Sequence, residues 1–443
     1  MKGSGIVFVG REKELALLNQ SYQAKENTMI ILYGREGIGK TALIRRFIED
    51  KTYVYYQARE LSQTEQIMYF EEKQKEVLLK AEQERVIFIV DEFDLMQKGY
   101  KTFLQDFAEY VQKLPAGRCM ILLASSSIQW VENTMVEDMG DLSNRITSFI
   151  KLKEFSFMEM VDRFPDSTTE QCVLIYAIFG GVPAYLDHWN PREALKKNMV
   201  RIILDHKGPL HREAQRFLKT SLRELPYYST ILSVLAEGKP KLNYLHTRTG
   251  FSRAKISVYI KNLMQIDVAA KIFSYEPEKK DIVQKGLYGI IDSFLYFWYK
   301  LIYPHMSELS LMEPDKFYDT FLKNKMDELV ERTYEKVCHE FLELMNQFDR
   351  LPGKFGKFES LYGKEGVVPL IADSQEGELL VGTCQWDSKP MGIGDFEAFL
   401  SKVEQTGREA DFYYFFSKEG FTSELSAMAK NMTNIHLIDL EKM

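Results

Sequence analysis

Of 443 residues only four are cysteine (Cys119, Cys172, Cys338 and Cys384); none lies in a C-x-x-C pair, and the one with a histidine neighbour, Cys338 before His339, has no second cysteine near it in the sequence. That excludes a disulfide framework and a cysteine–histidine zinc site, and it suits a reducing compartment. Neither charge dominates: 57 Lys+Arg face 64 Asp+Glu, a formal net charge of −7. A broadly basic, histone-like nucleic-acid binder is thereby excluded, although a local basic patch is not. Long uncharged apolar runs are also missing. The most apolar aromatic stretch, Ile290 to Pro304, contains Asp292 and Lys300 and is too short for a bilayer. It reads as a buried helix rather than an interfacial one. Met1-Lys2-Gly3-Ser4-Gly5 leads into Arg11-Glu12-Lys13-Glu14 without an apolar signal region, so the expected location is the cytoplasm, with no membrane partner.

Material for cores, by contrast, is plentiful. Hydrophobic residues make up 45% of the chain, with 29 Phe and 24 Tyr, which excludes disorder as the main state. The length fits about three domains. Four short apolar runs, Thr28–Tyr33, Tyr53–Tyr56, Val86–Val90 and Met120–Leu123, alternate with helix-length polar segments. Runs of this kind predict a parallel sheet covered on both faces, an α/β domain spanning residues 1–155. Residues 156–225 read as helical, broken at Gly180-Gly181-Val182-Pro183. From Pro226 the pattern gives three short helices, the third starting at the N-cap Ser252, then strands Val268–Phe273 and Asp281–Leu287 around the turn Glu276–Lys280. Helix-turn-helix plus hairpin predicts a winged helix over 226–300. Residues 301–443 add connecting helices to about Met345. Beyond Pro352, strands near Val368–Ala372, Leu379–Cys384, Phe412–Phe416 and Ile435–Ile438 enclose two helices.

Chemistry concentrates after the first strand. Gly34-Arg35-Glu36-Gly37-Ile38-Gly39-Lys40-Thr41 fits G-x-x-x-x-G-K-[ST] and precedes a helix expected over Ala42–Glu49. Such a loop turns backbone N–H groups around a β-phosphate at the positive end of a helix. Gly34, Glu36, Gly37, Ile38, Gly39, Lys40, Thr41 and Ala42 are therefore the candidate nucleotide contacts, Lys40 reaching the β- and γ-phosphates and Thr41 the Mg²⁺ ion. Val86–Val90 then ends in Asp91-Glu92. In that position Asp91 suits a metal held through water and Glu92 suits polarising the attacking water. An exposed acidic turn is the plain alternative, and the phosphate loop argues against it. Ser125-Ser126-Ser127 ends the next strand. Ser125 is the candidate beside the γ-phosphate, and Arg145 a candidate γ-phosphate ligand, in its own chain or across an interface.

These residues resemble the prokaryotic, archaeal-type P-loop ATPases related to AAA+ and STAND signalling ATPases. Beyond the phosphate loop the resemblance rests on Phe8-Val9-Gly10-Arg11-Glu12-Lys13-Glu14-Leu15 and on Gly180-Gly181-Val182-Pro183-Ala184-Tyr185-Leu186. It implies that Val9, Gly10 and Arg11 lie against the adenine, and that Pro183 lies in a lid turn closing over it. It also implies ATP and Mg²⁺ as cofactors. Asp292-Ser293-Phe294-Leu295-Tyr296-Phe297-Trp298-Tyr299 resembles the aromatic helix of the branch with a further C-terminal domain of unknown function. Ser143-Asn144 precede Arg145 where the family often has glycine.

That C-terminal domain resembles restriction-endonuclease-like folds, whose sites need an acid on one strand and Glu-x-Lys on the next. Here Pro369 stands at the aspartate position, Thr383 at the glutamate and Gln385 at the lysine. Asp373, Asp387 and Glu335 are nearby acids that do not restore the set, so a nuclease-dead fold is expected. In the winged helix, residues 237–267 hold six Lys/Arg against two acids, a local +4. Ile256, Ile260, Leu263 and Met264 are the expected buried stripe, leaving Arg253, Lys255, Ser257, Lys261 and Asn262 for an outer face able to meet double-stranded DNA. A protein–protein spacer is the other reading. The expectation as a whole is an ATP-hydrolysing switch with ATP and ADP as ligands, and with a protein client, DNA or a second copy as partner. Its rivals are a non-hydrolysing DNA-binding regulator or scaffold and, disfavoured by Pro369, Thr383 and Gln385, an ATP-coupled nuclease.

Overall fold

In the computed structural model, residues 8–99, 102–276 and 286–443 are described. They form two compact units, one running to Phe155 and including Val182–Asp187, the other holding Ser156–Gly181 and His188–Met443. In the first unit, β1 (Thr28–Tyr33), β2 (Tyr53–Gln57), β3 (Val86–Asp91), β4 (Cys119–Ser125) and β5 (Ile146–Lys151) form one sheet in the order β2-β3-β4-β1-β5. All four pairings are parallel. β1, β3 and β4 are buried at every position, which is why they read as unbroken apolar runs. One face packs Phe70, Phe88, Phe93, Phe103 and Phe107 into an aromatic core; the other packs Ile30, Leu32, Leu43, Ile44 and Phe47. The expected α/β parallel-sheet fold is thus present.

β5 was not legible in the sequence. It is an edge strand, only Ile150 is buried, and Phe149 is exposed, so no apolar run marks it. The helix after the phosphate loop runs Lys40–Ile48, two residues earlier than expected, because Gly39 in the left-handed region caps it.

In the second unit, helices Leu225–Leu235, Leu242–Thr249 and Arg253–Gln265 precede an antiparallel pair, β6 (Ala269–Ile272) and β7 (Leu287–Ile290). The expected second strand, Asp281–Leu287, falls mostly on positions 277–285, which lie outside the described residues; the described partner of β6 begins at Leu287. The segment from Ser293 through His305 is helical and buries Phe294, Phe297, Trp298 and Ile302, as its composition predicted. Helix Met326–Gln347 leads to a mixed sheet of order β12-β11-β10-β9-β8. Its strands are β8 (Glu359–Tyr362), β9 (Val367–Asp373), β10 (Leu379–Gln385), β11 (Phe412–Ser417) and β12 (Ile435–Asp439). β8, β9 and β10 pair antiparallel, and β10, β11 and β12 parallel. Tyr275, just after β6, belongs to the core of this sheet, alongside Val368, Ile371 and Phe415. Among the described residues no helix is long and apolar enough to cross a membrane.

Candidate functional site

The phosphate loop leaves β1 through three glycines whose conformations other residues adopt at a cost. Gly34, Gly37 and Gly39 have φ of +155°, +79° and +98°. Space is equally restrictive: a Cβ on Gly34 would sit 2.6 Å from the Leu152 carbonyl oxygen, and one on Gly37 2.9 Å from the Ala184 Cβ. Pro183 and Ala184 belong to this loop's surroundings. A Cβ on Gly39 would meet Pro183 Cγ at 3.8 Å, and the Ala184 N–H donates to the Gly37 carbonyl at 3.2 Å. Arg35 donates to the Tyr185 hydroxyl at 2.7 Å. Glu36 is exposed at the tip, Ile38 is anchored in the core, and Ala42 is exposed on the first helical turn.

Lys40 is buried and its Nζ donates back to the carbonyls of Gly34 (2.8 Å) and Arg35 (3.1 Å). Burial lowers its pKa, while Glu92 and Asp91 oppose that shift. Thr41 Oγ1 donates to Asp91 Oδ2 at 3.4 Å, and the Tyr55 hydroxyl donates to the same oxygen at 2.6 Å. Burial and that carboxylate push the Tyr55 phenol well above its usual range. The acids and the loop face one another because β4 lies between β1 and β3, bringing its carboxyl end between them.

That end corrects one expectation. Ser125 is fully buried, and its hydroxyl donates to Asp94 Oδ1 at 2.7 Å, away from Glu92. The hydroxyl against Glu92 belongs to Ser126, which donates to Oε1 at 2.7 Å while its N–H donates to Oε2 at 3.3 Å. Glu92 itself sits at φ +53°, a left-handed conformation strained for a residue with a Cβ. Burial raises its pKa, and the Ser126 hydrogen bond and Lys40 pull it back down.

Val9 and Gly10 lead into Arg11, with Gly10 and Arg11 both left-handed at φ +68° and +70°. The buried Arg11 guanidinium donates to the Lys153 carbonyl at 2.7 Å and the Ile38 carbonyl at 3.3 Å, and lies 4.9 Å over the Phe155 ring. Arg11 therefore braces the phosphate loop from behind. The sequence signalled a functional box there but not this contact.

Arg145 is corrected more sharply. It is exposed at the end of the 3₁₀ turn Gly140–Arg145, immediately before β5. Ile146 pairs with Met29 at the amino end of β1, whereas the loop leaves the carboxyl end at Tyr33. At about 3.3 Å per residue this places Arg145 at the opposite edge of the sheet, beyond reach of the loop in its own chain.

The outer face expected for the third helix is also smaller than the sequence suggested. Lys255 is half-buried, its Nζ lying 3.3 Å over the Tyr227 ring, 5.0 Å from Phe251 and 5.7 Å from Tyr259. Tyr259 takes the buried place expected of Met264, which is 38% exposed. Asn262 points inward and donates to the Tyr228 hydroxyl at 2.8 Å. Arg253 donates to Asn243 (2.9 Å), Arg248 pairs with Glu237 (2.5 Å) and Lys239 donates to Tyr362 (2.6 Å). Ser257 and Lys261 are exposed.

In the last sheet, Asp373 accepts from Arg408 at 2.5 Å and from the Tyr275 hydroxyl at 2.9 Å. Glu335 accepts from Ser360 at 3.4 Å, and Asp387 lies by Gln385, whose Nε2 is 3.5 Å away. Pro369 offers its carbonyl to Ser360 and His339.

A glycine loop between strand and helix, its lysine and threonine facing an acid-ended strand across an intervening strand, defines a P-loop ATPase domain. Residues 8–80 match the family described as an ATPase domain predominantly from Archaea, and residues 298–403 that of archaeal and bacterial proteins of unknown function. Through these two segments the chain is similar to archaeal-type P-loop ATPases. It is 26% identical over 431 residues to an uncharacterized protein of Methanocaldococcus jannaschii, covering 90% of this chain and 95% of the relative. An uncharacterized ATP-binding protein of the same organism is 44% identical over 46 residues, 10% of this chain and 78% of that one. Among solved structures, a Walker-type ATPase of Pyrococcus abyssi aligns with a TM-score of 0.48 at 16% identity, covering 66% of this chain and 96% of its own.

Proposed function

We propose that the chain is a Mg²⁺-dependent, ATP-hydrolysing switch whose last domain, nuclease-like in fold, performs no cleavage. The observation that carries the reading is Glu92: a part-buried carboxylate in a strained backbone conformation, gripped by Ser126 and facing Lys40. Strain retained at one residue beside a binding loop is a mark of function. The loop amides and Lys40 would hold the phosphates. Thr41 and Asp91, within 3.4 Å of each other, fit a hard cation with oxygen ligands. Mg²⁺ bound there would supply charge neutralisation on the phosphates. Glu92 would take the proton of the water whose oxygen attacks the γ-phosphorus, as the bond to the ADP oxygen breaks.

Pro369, Thr383 and Gln385 support the loss of cleavage, as does the engagement of Asp373 by Arg408 and Tyr275. For double-stranded DNA the outward groups are Ser257 and Lys261, with Arg253 at the rim, and their contribution would weaken steeply with salt. Arg145 could serve only the site of a second copy. The fourfold division into core (1–155), lid (156–225), winged helix (226–300) and final domain (301–443) remains part of the proposal.

Turnover tests it. Glu92→Gln should retain ATP binding and abolish phosphate release, whereas Lys40→Ala should impair binding itself. Wild-type chain that binds ATP but releases no phosphate, even with DNA present, would favour the non-hydrolysing regulator instead.

A further inference from the structure

The final sheet carries a second cleft, of about 660 Å³, with no part in the reading above. Helix Met326–Gln347 covers part of the sheet, contributing Phe341 and Met345, and the floor is Tyr414 of β11 with His436 and Ile438 of β12. Its size falls within the range of small-molecule sites. Two features give it chemistry. Tyr414 and His436 are partners in the strand register, and their rings stack at 4.4 Å with an interplanar angle of 18°. Because β12 ends the sheet order, that stack stops at His436 and leaves the position of a third ring to a ligand. Secondly, the His436 Nε2 atom is shielded from solvent and has no hydrogen-bond partner among the described residues, so the imidazole offers the cleft its face rather than a ring nitrogen. Burial lowers the His436 pKa, disfavouring the charged ring.

The rim sets the ligand's charge. Lys442 is paired with Asp439, and Asp349 with Lys354, while the exposed Arg350 guanidinium stands beside the cleft. Arg suits planar bidentate recognition of carboxylate or phosphate. We propose that this cleft binds a small planar aromatic acid, its ring extending the Tyr414–His436 stack and its anion on Arg350. Aromatic carboxylates and nucleoside monophosphates share that chemistry, so both serve as probes.

Indole-3-carboxylate and AMP are each titrated into the full chain and followed by ligand-detected NMR and calorimetry. At least one should bind with a Kd below about 1 mM. Arg350→Ala, a surface change, should weaken binding by about tenfold without moving the melting temperature. His436→Leu should weaken it at least as much. Binding of the first probe alone assigns a carboxylate, of AMP alone a phosphate, and of both the shared chemistry. The proposal is overturned if neither probe binds at that concentration, or if Arg350→Ala leaves the affinity unchanged.

Discussion

The sharpest test of the candidate site is a hydroxyl. Ser126→Ala removes the 2.7 Å donor from Glu92 and leaves the backbone contact at 3.3 Å. A hydrogen bond to a carboxylate contributes about 1.5–3 kcal/mol, and the lower end applies to a part-buried pair. If that energy holds Glu92 in its working position, kcat for phosphate release should fall about tenfold at neutral pH, with little change in ATP affinity. The pH dependence gives a second readout. Burial raises the Glu92 pKa above the ordinary 4.5, and the Ser126 hydrogen bond lowers it again. The proton-accepting form is the carboxylate, so activity rises with pH through that raised pKa and is lost below it. Removing a contact that lowers the pKa must move the acid limb upward. Ser125→Ala is the control, because its hydroxyl serves Asp94. An unmoved acid limb in Ser126→Ala, or an equal shift in Ser125→Ala, would refute the assignment of Ser126.

Arg11→Met should cost about 2 kcal/mol of stability by stranding the Lys153 and Ile38 carbonyls, and should also weaken ATP binding, checked by thermal unfolding and titration. Lys255→Ala should lower stability by about 1 kcal/mol through loss of its ring contacts, with no change in the salt slope of any DNA affinity. Lys261→Ala should reduce that slope by about one, measured by fluorescence anisotropy across ionic strength. Tyr275→Phe should cost about 1 kcal/mol of stability, read from denaturant unfolding, and should not uncover cleavage of DNA in the presence of divalent metal.

Much of the core was legible because its chemistry demands fixed spacing. A loop closing on phosphate needs Gly34, Gly37 and Gly39 where they stand, and buried parallel strands must be continuously apolar. Ser126 was hidden by its neighbours: three adjacent serines look alike until the end of β4 turns one inward and the next toward Glu92. The own-chain role considered for Arg145 fails because strand register is set by pairing with β1, which local sequence does not encode. Lys255 was misread because its principal aromatic partner, Tyr227, comes from an earlier helix, so a helix-face count sees only an unburied cation.

The placement of Tyr275 bears on how this chain can be divided. The residue follows β6 of the helix-and-ribbon segment, yet its ring fills the core of the last sheet, its N–H donates to Ser360 at 2.9 Å, and its hydroxyl meets Asp373. A fragment beginning at residue 301 would start with a vacancy the size of a tyrosine ring and with an aspartate bereft of one donor. Excised domains of this chain should therefore be cut before the three-helix segment, not after it. By the same logic the two pieces cannot be shuffled independently: a lineage that exchanged one would have to carry the other along.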